Sequence, residues 1–151
     1  MKKGFTLLEI LLVILIISLT FTLIAPNLFS FFSSLKEEAA LQKFASSIRT
    51  IYSDSLLKKE EATFFCDIEN GKYGKGKEEH SLPSSLSLVD ILTPSFSFHN
   101  GTVLIKIGPN LMQEIIFHFK KKDKKEYLTL FWKPIFGETE IKEGYLSPIA
   151  Q

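Results

Sequence analysis

The residues that could support nucleophilic or metal chemistry are few and widely spaced in this chain. Cys66 is the only cysteine, so no disulfide can form within the chain. We expect its side chain to be a small buried group on a strand. His80, His99 and His118 lack the short spacing of metal ligands, so we expect each to be exposed or satisfied by hydrogen bonds. The sequence predicts no metal site and no cysteine–histidine pair.

Two glycine-containing segments come close to ligand-binding motifs but fail their spacing. Residues 67–71 place acidic and amide oxygens before Gly71, without the register of a calcium loop. Residues 71–76 contain three glycines, but no Gly-Lys-Ser/Thr ending precedes a helix, so they do not form a phosphate-binding loop. With no serine–histidine–aspartate or paired-carboxylate arrangement evident, we expect no enzyme and no cofactor.

The basic segment from Lys120 to Lys125 raises the question of nucleic-acid binding. Asp123 interrupts the segment and Glu126 follows it, and the chain as a whole has 18 basic and 17 acidic residues, a formal net charge of +1. Nucleic-acid-binding surfaces carry a larger and less interrupted basic area. We therefore expect a solvated hairpin tip and regard nucleic acid as an improbable partner.

One carboxylate, Glu9, borders the longest apolar segment. No charged residue occurs from Ile10 to Phe32, and a helix of that length would measure roughly 35 Å against a bilayer core of about 30 Å. Lys2 and Lys3 precede the segment, which predicts a cytoplasmic N-terminus and a translocated remainder. A carboxylate within a spanning helix costs about 2.5–3.5 kcal/mol, so it usually has a partner or a function.

Three interpretations of this start compete. A cleaved secretory signal would need small residues before the cleavage site, but Leu23 precedes Ala25 at the critical position and Pro26 follows directly. The apolar segment is long enough for a plain membrane anchor, in which the Glu9 side chain would extend to the membrane–water interface. The third interpretation accounts for the whole of residues 2–10.

Residues 2–10, with the sequence KKGFTLLEI, resemble the prepilin cleavage and methylation site of type IV pilins and type II secretion pseudopilins. The resemblance implies that a prepilin peptidase cleaves between Gly4 and Phe5 and that the new amino group of Phe5 is methylated. It further implies that Glu9 serves assembly: pairing with the Phe5 amine of a neighbouring subunit would set the register between subunits, because a buried ammonium and carboxylate are far less costly as a pair. It also implies a helix kink at Pro26.

Beyond the apolar segment, a helical stripe continues with Leu41, Phe44, Ala45 and Ile48, then Ile51 or Tyr52, and then Ser55 or Leu56. The stripe predicts a helix to about residue 59, with charged residues such as Glu37 away from it. The predicted helix and the resemblance together imply three parts of the chain. These are a leader at residues 1–4, a transmembrane and assembly half of the N-terminal helix at 5–34, and a periplasmic head at 35–151. In the head, we expect an amphipathic helix at 35–59 and a β-rich domain at 61–147.

The β-rich domain is predicted from short alternating segments bounded by turn residues. We expect residues 71–95, rich in Gly, Lys, Ser and Pro, to form a long loop. The whole chain is therefore expected to be α+β, a long N-terminal helical spine with a membrane-spanning first half, packed on a small antiparallel β-sheet head. The predicted strands are 62–68, 96–98, 102–107, 115–119, 127–132 and a short one around 141.

The order of motifs in the head also resembles a family. A helix at 41–49, a Phe-Phe-Cys strand at 64–66, the turn at 98–102 and the late glycine segment 134–137 are similar to H-type minor pseudopilins of type II secretion and to related minor type IV pilins. Asn100 stands where an acidic residue usually precedes the glycine.

These resemblances imply a structural subunit of a pseudopilus that supports protein export across the outer membrane. The implied location is the bacterial inner membrane in a single pass, and the periplasmic pseudopilus after assembly. The implied partners are the prepilin peptidase and methyltransferase, other major and minor pseudopilins, the inner-membrane assembly platform, and membrane lipid before assembly. The alternative is a minor type IV pilin that acts in pilus assembly, adhesion or DNA uptake; a membrane-tethered periplasmic enzyme is a third, weaker possibility.

Overall fold

The computed structural model describes residues 6–111, 113–122 and 124–147, apart from the side chains of residues 24–30. The predicted cleavage and methylation site, Gly4 and Phe5, lies outside these residues, and so does the side chain of Pro26, where a kink is expected. The elements of the described residues are α1 (Leu7–Lys58), β1 (Ala62–Asp67), β2 (Lys72–Lys75), β3 (Glu78–Ser81), β4 (Leu86–Leu92), β5 (Ser97–Phe98), β6 (Thr102–Ile107), β7 (Ile115–Lys121), β8 (Tyr127–Lys133) and β9 (Glu138–Glu143).

The chain divides into two compact units, Met1–Lys36 and Glu37–Gln151. In the first unit, the large apolar side chains from Leu7 to Leu23 are exposed on every side of the helix, and the least exposed of them, Val13, keeps 46% of its surface. Among the residues that the structure describes, no helix offers a stretch both long and apolar enough to cross a membrane.

The end of α1 is capped by its own backbone. Lys59 adopts a left-handed conformation with φ of 55°, and the Glu60 N–H donates to the Ser55 carbonyl at 3.2 Å. This six-to-one hydrogen bond is the Schellman arrangement that satisfies carbonyls in the last helical turn. The helix therefore ends within one residue of the predicted end.

The strands of the second unit form two antiparallel sheets. The four-stranded sheet has the order β3-β2-β1-β6, and the five-stranded sheet has the order β5-β4-β7-β8-β9. All pairings between neighbouring strands are antiparallel. The predicted α+β class with an antiparallel head is confirmed at this level.

The strand predictions differ in outcome. The strand at 102–107 and the hairpin of β7 and β8 are confirmed. The long loop expected at residues 71–95 is wrong, because this segment contains β2, β3 and β4. The strand signal is weak there because β3 is polar and lies at a sheet edge, and β2 contains Gly74. A Cβ on Gly74 would lie 1.8 Å from the Glu78 carbonyl oxygen, so the tight β2–β3 hairpin requires glycine at this position.

The core of the second unit is centred on the predicted helical stripe. Leu41, Phe44, Ala45, Ile48 and Ile51 are all buried, as the periodicity predicts. The ring of Phe44 packs against aromatic rings from both sheets, at centroid distances of 4.6–5.7 Å. These rings belong to Phe64 and Tyr73 of the four-stranded sheet and to Phe117 and Phe119 of the five-stranded sheet.

One charged residue lies where the periodicity does not place it. Glu37, expected away from the apolar stripe, is 4% exposed, and its Oε2 lies 3.9 Å from the Nζ of Lys121 on β7. The buried carboxylate is compensated by this cation, because an uncompensated buried charge would be costly. Only the folded arrangement reveals this ion pair, since the two residues are far apart in sequence.

Candidate functional site

The first candidate site is the start of α1, where Thr6 and Glu9 bind each other. The Thr6 N–H and hydroxyl donate to Glu9 Oε2 at 2.9 and 3.0 Å, and the Glu9 N–H donates to Thr6 Oγ1 at 3.3 Å. This reciprocal arrangement is a capping box, with Thr6 as the N-cap and Glu9 at the third helical position. The carboxylate also lies at the positive end of the helix dipole.

The sequence contains a signal for the capping role of Glu9, whereas the resemblance implies a role in assembly. A Thr-x-x-Glu pattern before an apolar run is the usual signature of a capping box. In the single chain, the Glu9 carboxylate thus already has hydrogen-bond partners. Any intermolecular partner of Glu9 must replace or share the hydrogen bonds from Thr6.

The hydroxyl groups on the apolar part of α1 form hydrogen bonds with backbone carbonyls of the same helix. The Ser18, Thr20 and Thr22 hydroxyls donate to the carbonyls of Ile14, Ile16 and Ser18 at 2.8, 2.7 and 2.6 Å. Such back-bonding removes the need for water at these hydroxyls. The described surface from residue 7 to residue 23 is therefore apolar with internally satisfied hydroxyls, a surface suited to lipid or to other helices.

The second candidate site is a buried polar network in the five-stranded sheet. Asp90 of β4 and His118 of β7 are 2% and 0% exposed. His118 Nδ1 lies 2.5 Å from Asp90 Oδ1, and the register of the two strands places these residues directly opposite each other. On its other side, His118 Nε2 donates to the Leu146 carbonyl at 2.8 Å.

The network extends to the segment that follows β9. The Tyr145 hydroxyl donates to Asp90 Oδ2 at 2.8 Å, and its ring stacks on His118 at a centroid distance of 3.9 Å. The hydrogen bond to Asp90 raises the pKa of the Tyr145 hydroxyl. Thr129 donates to the Gly144 carbonyl at 2.6 Å and accepts from the Leu146 N–H at 3.1 Å.

This network anchors the chain after β9, and its geometry does not suit catalysis. Both ring nitrogens of His118 are occupied, and the ring is fully buried, so neither nitrogen is free to accept a proton from a substrate. The expectation that the histidines are exposed or satisfied is confirmed for His118. No local pattern indicates Asp90 as the partner of His118, because the two residues lie 28 positions apart in the chain.

The other two histidines do not form a ligand cluster. His99 is exposed, and its Nδ1 lies 3.8 Å from Asp90 Oδ2 at the rim of the buried network. His80 lies on β3, and its ring contacts the Tyr73 ring at a centroid distance of 5.6 Å. Within the described parts of the chain, no group of three or more His, Cys, Asp and Glu side chains is arranged to hold a metal ion.

Cys66 lies on β1 and is fully buried, as predicted. Burial raises the pKa of its thiol, because the thiolate is poorly solvated there. We expect a maleimide reagent at neutral pH to leave Cys66 unmodified in the native protein and to label it fully in denaturant. Mass spectrometry after timed labelling measures this. Rapid native labelling, with the fold retained by circular dichroism, would contradict the burial.

The basic hairpin between β7 and β8 is partly neutralised. Lys121 has a side chain only 13% exposed, and its Nζ lies 3.9 Å from Glu37 and 3.4 Å from Glu126. Lys120 lies over the Tyr127 ring at 5.7 Å. The two lysines at the start of the basic segment are thus engaged within the head; Asp123 lies outside the described residues.

An open polar groove lies between α1 and the β2–β3 hairpin. Its volume is about 550 Å³. Helix residues such as Lys43, Ser47 and Asp54 line one side, and Lys75 and His80 line the other. Ser47 donates to the Lys43 carbonyl at 2.9 Å, and Lys75 lies 3.9 Å from Asp54. The groove contains charges of both signs and indicates no single ligand class.

No family model matches this chain, and no curated protein or solved structure shows significant similarity to it.

Proposed function

We propose that this chain is a structural subunit of a pilin-like filament, a minor pseudopilin of a type II secretion pseudopilus. In this proposal, it is inserted in the inner membrane with a cytoplasmic N-terminus and a periplasmic head. It is then cleaved after Gly4, methylated on Phe5 and assembled through its N-terminal helix, residues 5–34. The filament would support the export of folded proteins across the outer membrane.

The observation that carries the proposal is the apolar surface of α1 from Leu7 to Leu23. Its side chains are exposed in the single chain, and its hydroxyls are bonded to the helix. An apolar surface of this extent needs lipid or protein to cover it. A filament subunit uses both, lipid before assembly and neighbouring helices afterwards, whereas a plain anchor uses lipid alone.

The Thr6–Glu9 capping box adds a mechanism to the proposal. In the single chain, Thr6 holds the Glu9 carboxylate. During assembly, the Phe5 amine of a neighbour would take over part of this coordination, because an ammonium is a stronger partner for a carboxylate than a neutral hydroxyl. The intramolecular cap would thus keep the carboxylate satisfied in the membrane until the intermolecular pair forms.

Processing by a prepilin peptidase tests the proposal directly. The full chain is co-expressed in membranes with a prepilin peptidase and analysed by intact-mass and N-terminal peptide mass spectrometry. We expect removal of residues 1–4 and one added methyl group on Phe5. A Gly4→Leu variant, inserted at the same level, should remain unprocessed. A wild-type chain that stays full length beside a cleaved control prepilin would contradict the proposal.

Substitution of Glu9 separates processing from assembly. We expect Glu9→Ala to be inserted and cleaved normally but to be lost from sheared filaments by at least tenfold, because the register-setting pair is missing. Glu9→Asp, which keeps the charge, is the matched control and should retain partial incorporation. Normal incorporation of Glu9→Ala would exclude the role of Glu9 in register.

Deletion of the gene distinguishes the two filament systems. A secretion role predicts that exported proteins accumulate in the periplasm while twitching and transformation persist. A type IV pilus role predicts the opposite pattern. The basic hairpin does not specifically support a type IV pilin that acts in DNA uptake, because Lys121 is paired with Glu37 and Glu126.

A further inference from the structure

The outer edge of β6 is an unpaired strand edge. In the four-stranded sheet, β6 stands last in the order and pairs only with β1. The pairing runs over six residues without interruption, from Ala62 opposite Ile107 to Asp67 opposite Thr102. Its other side has no strand partner among the described residues.

The backbone groups that point outward from this edge can be identified. The Ile68 N–H donates to the Gly101 carbonyl at 3.0 Å, in the same register as the β1–β6 ladder. Because hydrogen-bonded and non-hydrogen-bonded pairs alternate in antiparallel ladders, Val103 and every second residue after it bond to β1. Thr102, Leu104 and Lys106 therefore direct their N–H and C=O groups away from the sheet. No backbone hydrogen bond to another strand or loop of the described chain uses these groups.

The other three sheet edges carry features that discourage strand addition. β5 has only two residues, and β3 and β9 read EEHS and ETEIKE. Short length and charged side chains are common protections of exposed edges. β6 reads TVLIKI, with one charge, no proline and no interruption of its pairing with β1. Among the described strands, β6 is therefore the edge strand without these protections.

The side chains along β6 add a chemical preference. Leu104 is 67% exposed, and the Lys106 side chain is 78% exposed, on the same face of the strand. Within the described head, the Lys106 Nζ lies 4.0 Å from Oε2 of Glu61, a side chain that is itself largely exposed. Val103, Ile105 and Ile107 face the core. An added strand would thus meet an apolar site and, two residues away, a cation.

We propose that the outer edge of β6 binds an extended segment of another protein by strand addition, with an apolar residue opposite Leu104 and an acidic residue opposite Lys106. The outward N–H and C=O groups supply the main-chain hydrogen bonds, and the two side chains select the sequence. The proposal goes beyond filament assembly, because it concerns a partner of the head and does not depend on processing or on α1.

A second copy of this chain fits the edge less well. Two β6 strands paired antiparallel around Leu104 would place Thr102 of one copy opposite Lys106 of the other. The cation would then gain no carboxylate. A foreign acidic segment satisfies the cation, so we assign the edge to a different chain.

The test uses the full chain in detergent micelles and a fluorescein-labelled peptide with the core Val-Glu-Val-Leu-Val-Thr. In antiparallel register, this core places its Glu opposite Lys106 and its Leu opposite Leu104. A second peptide carries Lys in place of Glu. We expect saturable binding of the acidic peptide by fluorescence anisotropy, and at least tenfold weaker binding of the basic one.

Two substitutions separate main-chain from side-chain recognition. Leu104→Pro removes an outward N–H without removing a bond to β1, and we expect it to weaken acidic-peptide binding about tenfold or more. Leu104→Ala keeps the N–H and is the matched control, with a smaller loss expected. Lys106→Glu should reverse the preference between the two peptides, and it keeps the test decisive should Leu104→Pro fail to fold.

Three results would overturn the proposal. The first is no saturable binding of either peptide by the folded wild-type chain. The second is unchanged affinity in a folded Leu104→Pro variant together with unchanged preference in Lys106→Glu. The third is self-association of the wild type in analytical ultracentrifugation that Leu104→Pro abolishes while neither peptide binds, which would assign the edge to a second copy.

Discussion

Replacement of Phe44 by alanine is expected to lower the free energy of unfolding of the head by about 3–5 kcal/mol. Phe44 is fully buried, and its ring contacts two rings from each sheet. Truncation removes the apolar contacts and leaves a cavity between α1 and both sheets, which rigid β-structure cannot close. The loss approaches the total stability of many small domains, which is about 5–15 kcal/mol.

The measurement is a urea titration of the full chain in detergent micelles, followed by the fluorescence of Trp132. This is the only tryptophan of the chain, and it is buried against Tyr52. Phe136→Ala is the matched control, because Phe136 is 72% exposed and its truncation should change the free energy of unfolding by less than about 0.5 kcal/mol. Equal effects of the two substitutions would refute the assignment of Phe44 as the central core residue.

Replacement of Asp90 by alanine is expected to cost about 3–5 kcal/mol, because it breaks a buried pair by removing one partner. His118 Nδ1 would lose its hydrogen-bond partner, and the Tyr145 hydroxyl would lose its acceptor. The segment after β9 would lose part of its attachment as well. The effect should therefore extend beyond global stability to the local order of residues 144–147.

Tyr145→Phe is the matched control for Asp90→Ala. It removes one hydrogen bond to the carboxylate and keeps the His118 pair, so we expect a loss of about 1.5–3 kcal/mol or less. Hydrogen exchange at the Leu146 amide, which donates to Thr129, reports the local effect. Faster exchange in Asp90→Ala than in Tyr145→Phe is expected. An Asp90→Ala variant with wild-type stability and protection would show that the network does not anchor this segment.

The success of the sequence-based predictions depended on the range of the interactions involved. The helical stripe through Leu41, Phe44 and Ile48 was readable because helix periodicity is local, and all three are buried. The strand at 102–107 was readable because its β-branched residues stand between turn residues. The strands β2 and β3 were missed because their pairing depends on a hairpin that glycine allows, and polar edge strands carry no apolar alternation.

The candidate sites divide in the same way. The Thr6–Glu9 capping box spans four residues and is present as a motif in the sequence. The processing site at Gly4 and Phe5 stays a prediction from the resemblance. Two buried pairs join residues that are distant in the chain, Asp90 with His118 and Glu37 with Lys121. No local sequence pattern predicts either pair.

By itself, the sequence determined the contrast between an apolar start and a mixed, charged remainder, and the helical and strand periodicities that make the chain α+β. These properties follow from composition and from spacings of two to four residues. Only the tertiary structure decided that Phe44 would join two sheets, that Asp90 would meet His118, and that β6 would be left with an open edge. The physical reason is that strand order and burial depend on contacts between distant residues, whereas a local pattern constrains only the element that contains it.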